Sequence, residues 1–500
     1  MQPPALSPSL RGLEGSVPAL TQLAVFLGLI LAVRLIALSV NGTDLFFDEA
    51  QYWSWGKEPA FGYYSKPPLI AWIIGATTKF CGDSTFCVRL PAPILNTVTA
   101  AVVFGIGRRM LGTVAGLMAS LTFATLPGIS LSSGIISTDV PLLLCWTVAL
   151  AAYVRMLDDP GWLPAVVLGL ALGLGLNAKY AMVFFVLCAA VHMAVAPPAR
   201  RLLADPRLWA AAAIGAVLIA PNMAWNWSNS FATFAHTADN AKWGGSLLNA
   251  AKGLEFAGSQ LGVFGPILFV ALISIVVRAW REGLPDAERL LLAFTLPVLI
   301  VITAQAFVSR AHANWAAVSY VAGTLLVTSA LLRQDLMRWL GRSMALHVAV
   351  LLLLGIGLGL AGRFTLPGVG DPFARLLGWK ELSLETQRTL ELARAAGTPF
   401  RAVFADDRSI TAELLYYMRT EPTPVRAWRD AGRPRDHYEL TRPFDDPAQV
   451  PALLVSVRRD AMAITKRFSK VELLAERQVP AGLGEPRTVR FYALSGFKRE

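Results

Sequence analysis

Acidic residues that could act in catalysis lie in short polar segments between long apolar runs. Asp48 and Glu49 are adjacent in an aromatic-rich segment, and Asp139 opens a later apolar run in Ser137-Thr138-Asp139-Val140-Pro141. On a helix, neighbouring side chains point about 100° apart, so Asp48 and Glu49 cannot both address one atom. One carboxylate could therefore act on a substrate while the other binds a partner or a metal ion. Capping of a helix N-terminus is the structural alternative at both places.

Basic residues occur in the same kind of segment. Lys66 precedes Pro67-Pro68, Lys179 lies in a short turn, and Arg310 and His312 lie in Ser-Arg-Ala-His-Ala-Asn-Trp. Basic side chains bind phosphate through strong, charge-assisted hydrogen bonds. A phosphate group at the membrane surface is therefore the simplest partner for these residues. For any one of them, extension of the charged end toward lipid headgroups is the alternative.

Aromatic and amide side chains are concentrated between Trp225 and Lys252. The segment includes Asn226, His236 and Trp243 among other aromatic residues. Such a mixture suits the binding of sugar rings, and it equally suits an aromatic belt at the membrane interface. His236 has no second His, Cys or acid at ligand spacing, so no metal site is predicted there. No motif indicates a cofactor, and dependence on a divalent metal stays open.

The composition indicates which elements must position these residues. Hydrophobic residues make up 55% of the chain and charged residues only 16%, and the mean hydropathy is +0.51. A soluble globular protein carries more charge, and apolar runs of about 20 residues, long enough to cross a bilayer, recur through the first three quarters. We therefore predict a polytopic α-helical membrane protein. Its net charge of +11 comes largely from Arg in short links, and no Lys/Arg block suited to nucleic acid is present.

About eleven membrane-spanning helices are predicted from the apolar runs. They lie near residues 20–40, 88–107, 113–133, 139–156, 162–177, 180–197, 208–224, 257–277, 288–307, 313–332 and 344–363. Arg is concentrated in the links after even-numbered spans, which the positive-inside rule places in the cytoplasm. We therefore expect a cytoplasmic N-terminus, a first span that is retained rather than cleaved as a signal, and periplasmic positions for the acidic and basic candidates.

A second domain is predicted at residues 365–500, after a transmembrane domain of residues 1–364. Its composition is more charged, and segments 401–404 and 452–457 are typical of short strands. Helices are expected at 383–396 and 409–418. About 130 residues are enough for a core of their own, so a small periplasmic α/β domain is expected.

The cysteines and known catalytic templates restrict function only slightly. Cys145 and Cys188 lie in apolar runs and are typical of small core residues. Cys81 and Cys87 flank a short loop on the predicted periplasmic side, where a disulfide could form. Sequences typical of ATP-driven pumps, serine hydrolases and zinc proteases are absent.

Taken together, these motifs resemble those of the bacterial glycosyltransferase family 39. The resemblance rests on the acid pair, on Tyr-Tyr-Ser-Lys-Pro-Pro-Leu, on Thr-Asp before the fourth span, on the Trp-Asn-Trp loop and on Ala-Asn-Trp, and it covers nearly the whole chain. These membrane enzymes have the GT-C fold and are related to protein O-mannosyltransferases and lipid A aminoarabinose transferase. The lipopolysaccharide galacturonosyltransferases of rhizobial type are the most similar in character.

The resemblance implies transfer of a sugar from a polyprenyl-phosphate donor to an acceptor on the periplasmic face of the inner membrane. Asp48 would act as a base toward the acceptor hydroxyl or orient it, with Glu49 in support and Asp139 as a second acidic motif. Cations near the leaving phosphate would stabilise the charge that develops there; the candidates are Lys66, Lys179, Arg310 and His312. Candidate substrate-binding residues are Tyr63, Tyr64, Trp225, Asn226, His236, Asn314 and Trp315. The polyprenyl tail would lie among the spans, in contact with membrane lipid.

The sugar and the acceptor stay open at this point. A uronic acid, aminoarabinose, mannose or another hexose could be transferred, and lipid A, lipopolysaccharide core, another glycan or a protein could accept it. A transporter or flippase for a lipid-linked or small solute is the alternative from another functional class. Transporters usually show internal repeats and charges near the membrane midplane, whereas here the notable charges lie on one predicted face and no repeat is evident.

Overall fold

The structure is a computed structural model, and it describes residues 18–241, 249–430, 432–458 and 460–498. Trp243, one of the aromatic residues singled out above, lies outside the described residues. The chain forms two compact units. The helical unit comprises the chain up to Leu38, Lys66–Ile70 and Arg89–Gly355, and the sheet unit comprises Ser39–Ser65, Ala71–Val88 and the chain from Ile356 onward. The domain boundary predicted at residue 365 stays a prediction.

Helices dominate the first three quarters of the chain. In chain order the α-helices are α1 (Ala19–Ser39), α2 (Phe47–Lys57), α3 (Leu69–Cys81), α4 (Thr85–Arg89), α5 (Pro91–Leu111), α6 (Thr113–Thr125), α7 (Pro127–Ser132), α8 (Asp139–Asp158), α9 (Trp162–Ala178), α10 (Phe184–Val195), α11 (Pro206–Ser228), α12 (Ala232–Ala241), α13 (Ala250–Phe264), α14 (Pro266–Glu282), α15 (Asp286–Ala293), α16 (Leu296–Val308), α17 (Ser319–Arg333), α18 (Met337–Gly359), α19 (Trp379–Ala395), α20 (Arg408–Tyr417), α21 (His437–Thr441) and α22 (Met462–Thr465). Short 3₁₀ helices are Tyr180–Val183, Pro197–Ala204, Ala313–Ala316, Ala374–Leu376 and Pro447–Gln449.

Many of these helices are long and apolar enough to cross a membrane. Among the described residues six helical segments meet that description, and a seventh does if α13 and α14 count as one broken span. Five further apolar helices are shorter, among them α3, α6, α9 and α17. The chain is thus a multi-pass membrane protein, while the count of eleven spans stays a prediction.

Two sequence-based element predictions are wrong in detail. The span predicted at 257–277 is two helices that meet at a 115° bend. The bend is at Gly265, whose positive φ of 90° suits glycine, and Pro266 then starts a new helix. The segment from Trp225 to Lys252 was expected to be a loop, but α11 continues to Ser228 and α12 occupies Ala232–Ala241.

Glycine allows α9 and α11 to pack closely within the helical unit. A methyl group on Gly169 would lie 2.6 Å from the Ala211 carbonyl oxygen, and one on Gly173 would lie 2.6 Å from Leu218 Cβ. Small residues let membrane helices approach in this way. The contact holds the C-terminal end of α9 in place, directly before Lys179.

The sheet unit contains a six-stranded sheet in the order β3-β2-β1-β4-β6-β5. Its strands are β1 (Ala402–Ala405), β2 (Val425–Trp428), β3 (Pro443–Phe444), β4 (Ala452–Ser456), β5 (Phe468–Val479) and β6 (Arg487–Phe497). The first four pair in parallel, and β6 pairs antiparallel with both β4 and β5. The predicted strands at 401–404 and 452–457, and the predicted helices at 383–396 and 409–418, are confirmed as β1, β4, α19 and α20.

Alternating side chains of the parallel strands form a core on each face of this sheet. Val403 and Val455 pack on one face beneath α19 and α20. Phe404 and Leu454 pack on the other face in an aromatic cluster. Successive strand residues point to opposite faces, so a strand buried on both sides has an almost uninterrupted apolar sequence. This buried layer supports α20, which carries a residue of the candidate site.

Candidate active site

Asp139 lies at the start of α8 and is held by two donors in the helical unit. Lys179 Nζ lies 2.7 Å from Asp139 Oδ1, and Asn314 Nδ2 donates to Asp139 Oδ2 over 2.6 Å. The side chains of Asp139 and Lys179 are only 9% and 19% exposed, so their ion pair lies in a largely water-excluded place where such bonds are strong; Asn314 is exposed. Three residues singled out from sequence are therefore one hydrogen-bonded group, which we call the Asp139 group.

A cavity of about 340 Å³ adjoins the Asp139 group. Asp139 and Asn314 form part of its wall, and most of the remaining wall is apolar, with contributions from α6, α7, α13 and α17. Leu126, where α6 ends before Pro127, is one of the apolar wall residues. A cavity of this kind suits a ligand that is apolar over most of its length and charged at one end.

Arg310 and His312 lie in the short connection between α16 and α17, in the helical unit. Arg310 Nε is buried and has no hydrogen-bond partner among the described residues. His312 is exposed, and its ring packs against Trp315 with centroids 5.4 Å apart. Lys66 belongs to the same unit and is half-buried. All four residues predicted to bind phosphate therefore lie in the unit that holds Asp139.

Asn226 is buried in a polar network beside Lys179. Its amide donates to the Tyr180 hydroxyl over 3.1 Å, and its carbonyl oxygen accepts from the Thr233 backbone N–H over 3.3 Å. The Tyr180 ring stacks on Phe234 with centroids 5.0 Å apart. Trp225 and His236 are half-buried on the neighbouring helices. The network joins α11 and α12 to Tyr180, the residue that follows Lys179. The hydrogen bonds of Asn226 therefore hold these segments together.

The adjacent acids Asp48 and Glu49 have different surroundings in the sheet unit. Glu49 is fully buried, and its Oε2 accepts from the Phe46 backbone N–H over 2.9 Å at the start of α2. This is the capping interaction typical of the third residue of a helix. Asp48 is 35% exposed, and its Oδ1 accepts from Arg408 Nη1 over 2.9 Å. Asp48 Oδ2 has no hydrogen bond to any described residue, so this oxygen of Asp48 can still accept a hydrogen bond or a proton.

Arg408 was not singled out by sequence reasoning. Its guanidinium group also donates to Gln51 Oε1 over 3.2 Å and lies 4.8 Å from the centre of the Phe47 ring. Burial by itself would lower the pKa of Arg408, but the neighbouring Asp48 carboxylate more than offsets this and raises it. Arg408 therefore stays charged and fixes the orientation of Asp48.

Tyr63 and Tyr64 are both buried in the sheet unit. The Tyr63 hydroxyl donates to the Trp55 carbonyl oxygen over 2.8 Å, and the rings of Tyr63 and Trp55 stack at 4.5 Å. The Tyr64 hydroxyl donates to the Pro434 carbonyl oxygen over 2.7 Å. Burial raises the pKa of Tyr63 to about 12, so its proton stays in place at neutral pH. Contact of either side chain with substrate stays a prediction.

A disulfide-closed loop holds the far ends of α2 and α20. Cys81 and Cys87 are bonded, which answers the question that the sequence left open. Asp83 Oδ1, inside the loop, accepts from Trp53 Nε1 over 2.7 Å and lies 2.5 Å from Lys57 Nζ. The Asp83 carbonyl oxygen accepts from the Tyr416 hydroxyl over 2.7 Å.

The two helices that this loop ties together also carry the Asp48–Arg408 pair. Asp48 lies in the first turn of α2 and Arg408 opens α20, while Trp53, Lys57 and Tyr416 lie toward the opposite ends. The helices are therefore joined at both ends, by an ion pair at one and by the Asp83 loop at the other. The position of Asp48 relative to Arg408 is therefore fixed from both ends of the two helices.

The known proteins that resemble this chain are membrane glycosyltransferases. Residues 65–225 match the family described as dolichyl-phosphate-mannose-protein mannosyltransferase. Lipid A galacturonosyltransferase RgtD of Rhizobium johnstonii is 35% identical over 466 residues, which cover 92% of this chain and 95% of that protein. Lipopolysaccharide core galacturonosyltransferase RgtA of the same organism is 28% identical over 260 residues, about 50% of each chain.

Solved structures of similar fold extend over the whole chain. ArnT from Cupriavidus metallidurans in the apo state has a TM-score of 0.64 at 14% identity and covers 97% of this chain and 100% of its own. ArnT bound to undecaprenyl phosphate has a TM-score of 0.61 at 14% identity, with 96% and 99% covered. At this level of identity the likeness concerns the fold.

Proposed function

Because this chain belongs to the family of membrane glycosyltransferases that includes the lipid A and lipopolysaccharide core galacturonosyltransferases of Rhizobium johnstonii, we propose that it transfers galacturonic acid from a polyprenyl-phosphate donor to lipid A. It is a glycosyltransferase with a fold of the GT-C type. The observation that carries the proposal is the Asp139 group at the wall of a largely apolar cavity.

The apolar cavity and the basic residues of the same unit fit the two parts of such a donor. The apolar wall would hold the first isoprene units, which explains why the enzyme is embedded in the membrane. Lys179 uses one of its three N–H donors on Asp139, so two remain for phosphate oxygens. The buried Arg310 Nε has no partner among the described residues, and a buried donor of this kind costs free energy until an acceptor reaches it. A phosphate oxygen is such an acceptor. Lys66 and His312 would bind the outer side of the phosphate.

The reaction needs a base for the acceptor and stabilisation of the leaving group. An acceptor hydroxyl oxygen bonds to the anomeric carbon, the bond from that carbon to the phosphate oxygen breaks, and its electron pair stays on the polyprenyl phosphate. The hydroxyl proton passes to Asp48. We assign this role to Asp48 because its side chain is 35% exposed and its Oδ2 accepts no hydrogen bond from a described residue, whereas Asp139 is only 9% exposed and each of its oxygens accepts one hydrogen bond. Asp139 then acts by orienting Lys179.

Uronic acid transfer also accounts for the number of cations. The donor would carry a carboxylate as well as a phosphate, and lipid A itself is anionic. Four basic residues lie in one unit, and we predict that they lie on the side opposite to the Arg-rich links, which is consistent with two anionic groups rather than one. Of the proposed substrate-binding residues, Trp225 and His236 lie between Lys179 and Arg310 in the sequence, and Asn314 and Trp315 follow closely after His312.

We place the candidate site on the periplasmic side of the inner membrane, with the N-terminus in the cytoplasm. The Arg-rich links indicate this orientation, and a disulfide at Cys81–Cys87 suits an oxidising compartment. Alkaline phosphatase fused after residue 498 should be active, and fused after residue 204 it should be inactive. The reverse pattern would overturn the orientation.

The proposal is tested by reconstitution in proteoliposomes. Polyprenyl-phosphate galacturonic acid and lipid A are added to the purified protein, and mass spectrometry of the lipid should reveal one added hexuronic acid. Parallel donors that carry aminoarabinose or a neutral hexose should give no product. Transfer from one of those donors alone would overturn the sugar assignment, and transfer to lipopolysaccharide core but not to lipid A would overturn the acceptor assignment. Passage of labelled donor across the bilayer without any transfer would favour a flippase instead.

A further inference from the structure

A second polar cavity lies at the other end of α8, away from Asp139. It has a volume of about 390 Å³, and its charged and polar wall consists of Asp158, His192, Arg201, Asp286 and Arg289. Because α8 runs from Asp139 to Asp158 at about 1.5 Å per residue, the cavity lies on the order of 30 Å from the Asp139 group. It therefore does not belong to the sugar-transfer site. Its volume falls within the roughly 300–1,000 Å³ typical of ligand sites.

The imidazole of His192 points to a ligand. His192 is only 3% exposed, and its Nδ1 lies 2.8 Å from the Tyr153 hydroxyl. With that hydroxyl donating to Nδ1, the ring proton is on Nε2, which makes Nε2 a donor. Nε2 has no hydrogen-bond partner among the described residues, and the ring forms part of the cavity wall. In this tautomer the cavity wall therefore contains an N–H that can donate to a ligand in the cavity.

Two guanidinium groups strengthen this preference for an anion. Arg201 donates to the Leu157 carbonyl oxygen, and Arg289 donates to the Leu284 carbonyl oxygen over 3.1 Å. Each guanidinium has five N–H donors, so most of them remain available in both cases. Planar guanidinium groups bind phosphate oxygens in pairs, which makes arginine especially suited to this ligand.

The carboxylates of the wall do not cancel this positive charge. Asp158 is already paired with Arg109 over 2.9 Å, so its negative charge is offset. Asp286 lies 3.2 Å from Arg289, but its side chain is 80% exposed, and exposed pairs contribute little. The cavity therefore combines three anion-binding groups with one solvated carboxylate.

We propose that this cavity binds the phosphate of an anionic phospholipid headgroup. It lies where apolar helices end among the arginine-rich links that the positive-inside rule assigns to the cytoplasmic side. Basic pockets between membrane helices on such a face bind cardiolipin and similar headgroups. The bound lipid would fasten α8, α10 and α15 together at the end opposite to the chemistry. Free phosphate shares the same recognition chemistry, and the test separates the two sources.

The test measures lipid binding to the full-length protein in neutral detergent. Native mass spectrometry and thermal unfolding are recorded with phosphatidylglycerol, with phosphatidylcholine and with inorganic phosphate. Phosphatidylglycerol should stay bound and raise the unfolding temperature, whereas phosphatidylcholine should not. Stabilisation by inorganic phosphate at the same concentration would overturn the lipid as the source. Equal effects of the two lipids would overturn phosphate recognition altogether.

Variants locate the binding to this cavity. Arg201→Gln with Arg289→Gln should weaken phosphatidylglycerol binding about tenfold or more, the loss expected for one charge-assisted hydrogen bond or two. Arg338→Gln is the matched control, because Arg338 is an exposed arginine of the same Arg-rich links that does not line the cavity. His192→Phe keeps a ring but removes the N–H, and it provides a second variant if the double variant does not fold. Unchanged binding in both, or a loss in the control alone, would contradict the proposal.

Discussion

Asp48 and Asp139 each form an ion pair with a basic residue, but the surroundings of the two pairs differ. In the sheet unit Asp48 is bound by one arginine and remains 35% exposed. In the helical unit Asp139 is bound by Lys179 and Asn314 and is 9% exposed. An acceptor hydroxyl can reach the partly exposed Asp48, one of whose oxygens accepts no hydrogen bond from a described residue, more easily than the largely buried Asp139. On this ground our proposal gives the role of base to Asp48 and the positioning of the donor to Asp139.

The strongest test of this contrast is Asp48→Asn. We expect kcat to fall by about 10²–10⁴-fold, the usual contribution of a general base, with little change in KM for the donor. Transfer to lipid A is measured by mass spectrometry at saturating donor.

Glu49→Gln is the matched control for Asp48→Asn. The Gln side chain still accepts a hydrogen bond from the Phe46 backbone N–H, so the start of α2 is preserved and kcat should stay within a few-fold of wild type. A loss as large as that of Asp48→Asn would mean that the two acids share the chemistry.

The next largest effect is expected on the other side of the comparison, for Lys179→Met. Methionine keeps the length of the side chain but removes the charge, so donor KM should rise by about 10–100-fold, the value of one or two charge-assisted hydrogen bonds. The effect on kcat should be smaller. Steady-state kinetics with varied donor concentration separate the two parameters.

Lys252→Met serves as the control, because Lys252 is an exposed lysine of α13. It should leave donor KM unchanged. If Lys179→Met lowered kcat and left donor KM unaltered, Lys179 would act in the chemical step rather than in donor binding.

Arg310→Ala tests the buried donor group that has no described partner. Binding of polyprenyl phosphate should weaken by about tenfold, as measured by titration of the purified protein. Arg310→Lys keeps the charge and should recover part of the affinity. If polyprenyl phosphate bound equally well to both variants and to Lys66→Ala, the phosphate site would lie elsewhere.

Some features of the fold and the site could be predicted from local sequence patterns, because each depends on the hydropathy or charge of residues close together in the sequence. Asp139 and Lys179 lie at the ends of predicted spans, and the parity of the spans was enough to predict that both lie on the same face; the ion pair between them was not predicted. The buried strands β1 and β4 were predicted because strands buried on both sides have continuous apolar sequences.

Contacts between distant parts of the sequence leave no such pattern. Arg408 is 360 residues from Asp48, and nothing in the composition around α20 indicates which carboxylate it binds. Strands β5 and β6 were not predicted. Most residues of β5 are exposed, so its sequence lacks the alternation that marks a half-buried strand. The break at Gly265 depends on one backbone angle within an apolar run, and hydropathy cannot detect it.

The smallest expected effect concerns the Asp83 loop, which supports only the Asp48 side of the comparison. Asp83→Ala removes the acceptor for Trp53 and Lys57, so α2 loses its second anchor and kcat should fall by about tenfold, as for the loss of one strong hydrogen bond. Asp83→Asn keeps the acceptor for Trp53 and should fall less. Donor KM should be unchanged in both variants, which distinguishes this role from a general loss of folding.

The same loop makes the Asp48 side sensitive to reductant. Dithiothreitol should lower kcat of the wild type, leave donor KM unchanged, and have no effect on the Cys81→Ser/Cys87→Ser double variant. Burial alone would raise the pKa of Asp83, but hydrogen bonds from Lys57 and Trp53 lower it. Its stabilising contribution is therefore present above the ordinary carboxylate pKa and is lost only as the pH falls through the lowered value, so it should persist throughout the neutral range. If reductant raised donor KM as much as it lowered kcat, the loop would support both sides, and the separation of roles between Asp48 and Asp139 would have to be abandoned.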